Sequence, residues 1–195
     1  MTTRLPFSRF AAIVLAALFL PLIGNSFQRR DHLTPKEEDQ IKDTQILDKR
    51  VVVFVKAVQR RVRVITGATT DTEKRQKKDA EIYGDLPTGT RDELVGDIAK
   101  ILDEAVTNID DVSAHDEKNP LIPKALRILA SEVTRLIEQM RPLQGQAEDA
   151  AEIASFELLT QNAQPILEAA NRLPPPLTDK ELKEKKKADK AKAKS

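Results

Sequence analysis

The 195-residue sequence contains no Cys and no Trp. Without a thiol there is no disulfide framework, zinc ribbon, iron–sulfur cluster, covalently attached c-type haem or catalytic Cys. A lipid anchor on a processed Cys is excluded for the same reason. Glycine is scarce, and the six residues (24, 67, 84, 89, 96 and 145) are scattered. None completes a G-x-x-x-x-G-K-[ST] or G-x-G-x-x-G loop, so the usual phosphate cradles are missing. Histidine occurs only at His32 and His115, and aromatic residues make up 4% of the chain. The formal net charge is +1, from 32 basic and 31 acidic residues.

What is present begins with an export pattern. Arg4 and Arg9 form a basic start, and Phe10 to Ile23 is an uncharged apolar run of fourteen residues. Gly24, Asn25 and Ser26 follow. A positive end, a short apolar stretch and small residues at the cut are the layout of a secretory signal peptide. Residues 1–26 are therefore expected to be a cleaved signal, with Phe27 as the new N-terminus. The alternative is an inner-membrane anchor retained through residues 10–23. A spanning helix needs roughly 20 apolar residues, and this run is shorter and contains Pro21. After cleavage no transmembrane segment is expected.

Beyond a short segment, 27–33, helix signals dominate a region expected to fold as one domain, 34–173. Thr34-Pro35-Lys36-Glu37 is a capping box with Pro at the first helical position. Apolar residues recur at Ile41, Leu47, Val51, Phe54, Val58, Val62 and Ile65, with helical steps of three and four after Leu47. Gly67 is a natural stop. The run Val51 to Val55 also has strand propensity, but the helical spacing continues on both sides of it. Residues 68–89 read as a polar connection, with room for a short helix over Thr72–Tyr83. Thr90 to Glu93 is a second capping box. A helix face follows at Leu94, Ile98, Ile101, Ala105, Ile109 and Val112.

A third helix is expected from Leu121 or Lys124 to Arg141, stopped by Pro142. A fourth covers Gln146–Arg172, with Pro165 expected to kink or split it. Residues 174–195 read as a Pro/Lys-rich disordered tail, since eight lysines and one large apolar residue over 179–195 cannot bury surface. The expectation is an all-α fold: an antiparallel bundle of about four amphipathic helices, with coiled-coil-type packing and the disordered tail.

Chemistry is thinly represented. Di-iron bundles use Glu-x-x-His pairs, but Arg29 and Val112 precede the two histidines by three residues. A haem axial pair of His115 and Met140 would sit at opposite ends of a helical hairpin. Asp110, Asp111, His115, Asp116 and Glu117 form an acidic patch without the alternating ligands of a calcium loop. It reads as a solvated turn. Asp103 and Glu104 read as a solubilising flank. The expectation is no enzyme, with no catalytic, cofactor-binding or metal site and no cofactor.

Lys49, Arg50, Lys56, Arg60, Arg61 and Arg63 make the first long helix basic. Nucleic-acid binding would want aromatic platforms beside such charges, and they are missing. The lysine tail suits weak contact with an anionic surface. The sequence thus reads as an exported bacterial helical bundle, periplasmic or secreted. It is expected to be a structural or interaction component of the envelope with a protein or envelope partner. A periplasmic chaperone-like or ligand-binding bundle is the alternative, and a hydrolase with a spatially assembled site comes third.

The net charge dissolves on division. Residues 27–90 hold 14 basic and 11 acidic side chains, residues 91–178 hold 8 and 16, and residues 179–195 hold 8 and 4. The first long helix is therefore expected to pack against the acidic helices with favourable charge across their flanks.

Overall fold

A computed structural model describes residues 31–68 and 72–175. The expected signal peptide, nearly all of the tail and three residues of the polar connection lie outside the described residues. Six helices, and no strand, occur among the described residues: α1 (Pro35–Asp43), α2 (Leu47–Thr66), α3 (Glu73–Tyr83), α4 (Arg91–His115), α5 (Ile122–Gln144) and α6 (Ala150–Asn171). None is long and apolar enough to cross a membrane.

The caps sit where the sequence places them. Glu37 Oε2 accepts from the Thr34 backbone N–H at 2.9 Å, and Thr34 Oγ1 accepts from Glu37 N–H at 3.3 Å. Glu93 accepts from Thr90 N–H at 2.9 Å. Gly67 ends α2 at φ +63°, a left-handed conformation that a Cβ would strain.

Several boundaries differ from the sequence reading. The first long segment is two helices, because the chain turns at Thr44–Ile46. Thr44 Oγ1 donates to the Gln40 carbonyl at 2.7 Å and closes α1. The six-residue step from Ile41 to Leu47 marks that break. Pro142 does not stop α5, which runs on to Gln144. Pro142 and Glu138 are both exposed, so water can satisfy the Glu138 carbonyl that Pro142 leaves without a donor. Pro165 likewise lies within α6 without splitting it, one turn after the exposed Gln161. The fourth helix starts at Ala150 rather than Gln146, because Asp149 caps it by accepting from Ala151 N–H at 2.9 Å. The short helix anticipated over Thr72–Tyr83 is α3.

One hydrophobic core joins α2, α4, α5 and α6. Val51, Phe54, Ala57 and Val58 face Ile98, Ile101, Leu102 and Ala105 of α4 and Leu129, Val133 and Leu136 of α5, all fully buried. Phe156, Leu159, Ala163 and Ile166 of α6 close it. Around the core, α2 touches α4 and α5, and α6 touches α4 and α5. No Cα of α2 lies within 8 Å of one in α6, so these two helices stand at opposite corners. On the α4–α6 side Gly96 admits Ser155, and Asn162 Nδ2 donates to the Ala99 carbonyl at 2.9 Å.

The valines of α2 that lie outside the regular spacing widen its apolar face. Val53 and Val55 are buried, and only Val52, at 45% exposure, reaches solvent. A helix with so wide an apolar face needs neighbours on several sides. Two corners are taken by α4 and α5, and α1 and the long side chains reaching α3 cover much of the remainder.

Leu136 is fully buried where α5 meets the core. Leu136→Ala should lower the unfolding free energy by about 2–5 kcal/mol, the cost of lost transfer energy plus a cavity. Urea unfolding followed by circular dichroism checks this, and a loss under about 1 kcal/mol would contradict the packing described.

Candidate functional site

The most concentrated chemistry in the molecule is a cluster of buried charge where α1, α2, α3 and α4 meet. Arg60 and Arg61 are adjacent on α2 and each is 1% exposed. Successive helical residues point about 100° apart, so the two guanidiniums diverge. Between them lies Glu37, at 0% exposure in the first turn of α1.

Arg61 Nη1 donates to Glu37 Oε1 at 3.0 Å, and Nη2 lies 2.9 Å from Oε2, a two-point Arg–carboxylate contact. The same guanidinium donates to the carbonyls of Ala57 at 2.8 Å and His32 at 2.6 Å. Its Nε lies 4.0 Å from Asp97 on α4. Arg60 Nε sits 3.0 Å from Glu37 Oε1, but its N–H is not aimed there, so the contact is ionic rather than a hydrogen bond. Arg60 then reaches α3 and the turn beyond it. Nη1 is 3.4 Å from Asp79, and Nη2 donates to the Gly84 carbonyl at 3.0 Å and to that of Asp85. Its guanidinium also lies 5.6 Å from the centre of the Tyr83 ring.

Asp79 collects two further cations, Lys56 at 2.6 Å and Arg63 at 3.7 Å. Three carboxylates thus stand among four cations of α2. Burial lowers the affinity of Arg60 for its proton, with Glu37 and Asp79 opposing that and Arg61 and Arg63 adding to it. The guanidinium stays charged through the whole working range. Tyr83 is pushed upward, first by burial and then by the nearby Asp79 carboxylate.

Smaller pairs tie the remaining helices. Asp48 of α2 meets Lys124 of α5, which holds its carboxyl below the usual range. Arg91 of α4 meets Glu152 of α6, and Gln59 of α2 donates to Glu132 of α5 at 3.0 Å. His32 Nε2 lies 2.8 Å from Glu104, joining the segment before α1 to α4.

The charge complementarity expected between the basic first helix and the acidic helices is therefore only partly present. Arg50 reaches Asn108 and Arg61 approaches Asp97. Most of the positive charge of α2 is instead satisfied by α1 and α3. Arg60 and Arg61, read from the sequence only as part of a basic helix, are buried anchors. Their signal lay in their setting: Arg60 and Arg61 fall at helical spacing from Val53, Phe54, Ala57 and Val58, and a charge buried on that side must be paired. The partner Glu37 was legible as a capping residue, but not as a buried ion.

The other sequence candidates do not converge. His115 is exposed, its Nδ1 2.7 Å from the Asp111 carbonyl, and Asp110, Asp111, Asp116 and Glu117 are exposed around it. Met140 is buried in the core, away from solvent. Asp103 is exposed, while Glu104 holds His32. Among the described residues, no group of three or more His, Asp or Glu side chains could hold a metal ion.

Open space lies along the outer stripe of α2. A cleft of about 360 Å³ between α2 and α3 is lined by Val52, Lys56, Arg75, Lys78 and Ile82. A second, of about 270 Å³ between α2 and α5, is lined by Lys56, Gln59, Arg63, Arg135 and Gln139. The two clefts share Lys56 and Gln59 in their walls.

Two outcomes follow from this geometry. Glu37→Gln should cost about 3–5 kcal/mol in unfolding free energy, since it leaves buried guanidiniums short of a counter-charge; a change within about 0.5 kcal/mol would contradict the anchoring role. Tyr83 is the only tyrosine, so phenolate absorbance reports it alone. Its titration should be centred above the free value of about 10. Because the folded value is the raised one, its contribution to stability is full below that free value and is lost as pH rises through the folded one. Asp79→Asn should bring the titration downward.

No family model matches the chain, and no curated protein or solved structure matches it.

Proposed function

We propose that this chain is an exported bacterial helical-bundle protein of the cell envelope that works by contact rather than by catalysis. In this reading α2, α4, α5 and α6 form an antiparallel four-helix scaffold, α1 and α3 brace it, and the Lys-rich tail brushes anionic envelope surfaces. The supporting observation is the way charge is used. The buried ions Glu37, Arg60, Arg61 and Asp79 bind one another and fix the helices, while the clefts along α2 offer cations and apolar side chains to a partner.

A ligand-binding bundle is the second reading. The larger cleft favours it, because about 360 Å³ lies at the lower end of small-molecule sites, which span roughly 300–1,000 Å³.

Expression of the full chain in a bacterial host, followed by envelope fractionation and mass spectrometry, tests the proposal. The expected product is in the envelope or periplasmic fraction and starts at Phe27. An intact N-terminus would favour the retained anchor over cleavage, and a wholly cytosolic chain would end the envelope reading. Deleting residues 179–195 should reduce envelope retention at low salt. Equal retention removes the role given to the tail.

A further inference from the structure

Helix α3 is attached by other means than the four helices of the core. Asp79 is its only buried residue, and the rest are exposed or half-buried. Its backbone approaches α1, but no Cα of α3 lies within 8 Å of α2.

Long polar side chains bridge that gap. Lys56, Arg60 and Arg63 of α2 converge on the Asp79 carboxylate, at 2.6, 3.4 and 3.7 Å. Arg60 also donates to the carbonyls of Gly84 and Asp85, just past the helix, and its guanidinium lies against the Tyr83 ring. Lys36 of α1 donates to the Glu81 carbonyl at 3.5 Å, a long and weak hydrogen bond.

A joint of this kind opens before an apolar one. Stability varies within a domain, and segments with few buried apolar contacts are the first to open. Undocking α4 exposes the whole core. Undocking α3 exposes little apolar surface, and water reaches Lys56, which is 30% exposed. The interior also keeps its balance of charge. When Asp79 leaves, Glu37 remains beside Arg60 and Arg61, so neither buried guanidinium loses its last counter-charge. The turn after α3 has a glycine at each end, Gly84 at φ +75° and Gly89 at φ +152°. Without a Cβ these positions pass between backbone regions closed to other residues, so the turn can change course as the helix leaves.

We propose that α3 is an ionic strap, which lifts from α2 as a unit while the rest of the bundle stays folded, and that the Asp79 carboxylate is its latch. The strap is one wall of the larger cleft, with Arg75, Lys78 and Ile82 standing opposite Val52, Val55 and Gln59 of α2. Lifting it turns a cleft of about 360 Å³ into an open face of α2. It also separates Lys56 and Arg63 from Asp79. The device therefore governs access to the cations and apolar side chains of that face, whether a protein or a small molecule meets them.

Hydrogen exchange in the full-length chain tests this, read peptide by peptide by mass spectrometry over a series of sub-denaturing urea concentrations. Global unfolding exposes the core and depends steeply on urea, whereas undocking α3 exposes little surface and depends on it weakly. The α3 amides should exchange at least about 100-fold faster than those of residues 98–105 in α4, with almost no urea dependence. They should still exchange at least about tenfold slower than an unstructured chain. Asp79→Asn should speed α3 exchange by at least about tenfold, with the steep urea dependence of α4 kept. Lys56→Gln removes one of the three cations at a half-exposed position and should speed it by a smaller factor. Circular dichroism should show that both variants retain the cooperative urea transition of the bundle.

An α3 that shares the urea dependence of α4 overturns the proposal, because it then opens only with the bundle. Exchange of α3 at the unstructured rate overturns it as well, since nothing is then latched. So does α3 exchange left unchanged by both variants, which would place the latch elsewhere. Loss of the cooperative transition in Asp79→Asn overturns it too, because the bundle would then depend on the strap.

Discussion

The carboxylate of Glu37 is the point on which the N-terminal half of this molecule turns. It accepts from the Thr34 backbone and so starts α1. It also lies between the guanidiniums of Arg60 and Arg61. A buried guanidinium without a counter-charge is strongly unfavourable, so α2 can enter the interior only with α1 beside it. The arginines then extend the tie outward, one to the His32 carbonyl and the other to α3 and its following turn. Arginine suits this position because its planar fork serves several acceptors at once without losing its charge.

This arrangement explains why α3, short and largely polar, has a fixed place. It has little apolar surface to bury, and Asp79 is its one buried residue. Asp79 is held by Lys56, Arg60 and Arg63, and Tyr83 lies against Arg60. Helices α4 and α6, by contrast, meet through apolar and small side chains, with Gly96 beside Ser155. The bundle thus has two kinds of joint. The joint between α2 and α3, spanned by Lys56 and Arg60 reaching Asp79, leaves an open cleft.

The overall charge of +1 conceals a polarity. Helices α2 and α3 together carry a net +6 and α4 and α6 together −8, so charges that largely offset in the sum are separated in space. Such a surface favours oriented contacts and discriminates among partners more than it adds raw affinity. The ion pairs within the cluster are shielded from solvent, so salt weakens contacts at the rim well before it loosens the interior.

Much of the fold could be read from one dimension. Helical spacing from Leu47 to Ile65 and from Leu94 to Val112 sets which residues face inward. The Thr34 and Thr90 boxes and Gly67 set ends, because these signals are local and need only the chain itself. Pro142 misled for an instructive reason: a proline ends a helix only where the freed carbonyl lacks another partner, and solvent exposure is a tertiary property. The pairing of Glu37 with Arg60 and Arg61 was out of reach, since it joins residues more than twenty positions apart and no periodicity encodes that. So was the placement of α2 and α6 at opposite corners. By itself the sequence determined the helical class, the apolar faces and the uneven charge along the chain. The tertiary structure alone decided which charges are buried and which surface each sign occupies, because the cost of removing a charge from water depends on what surrounds it in space.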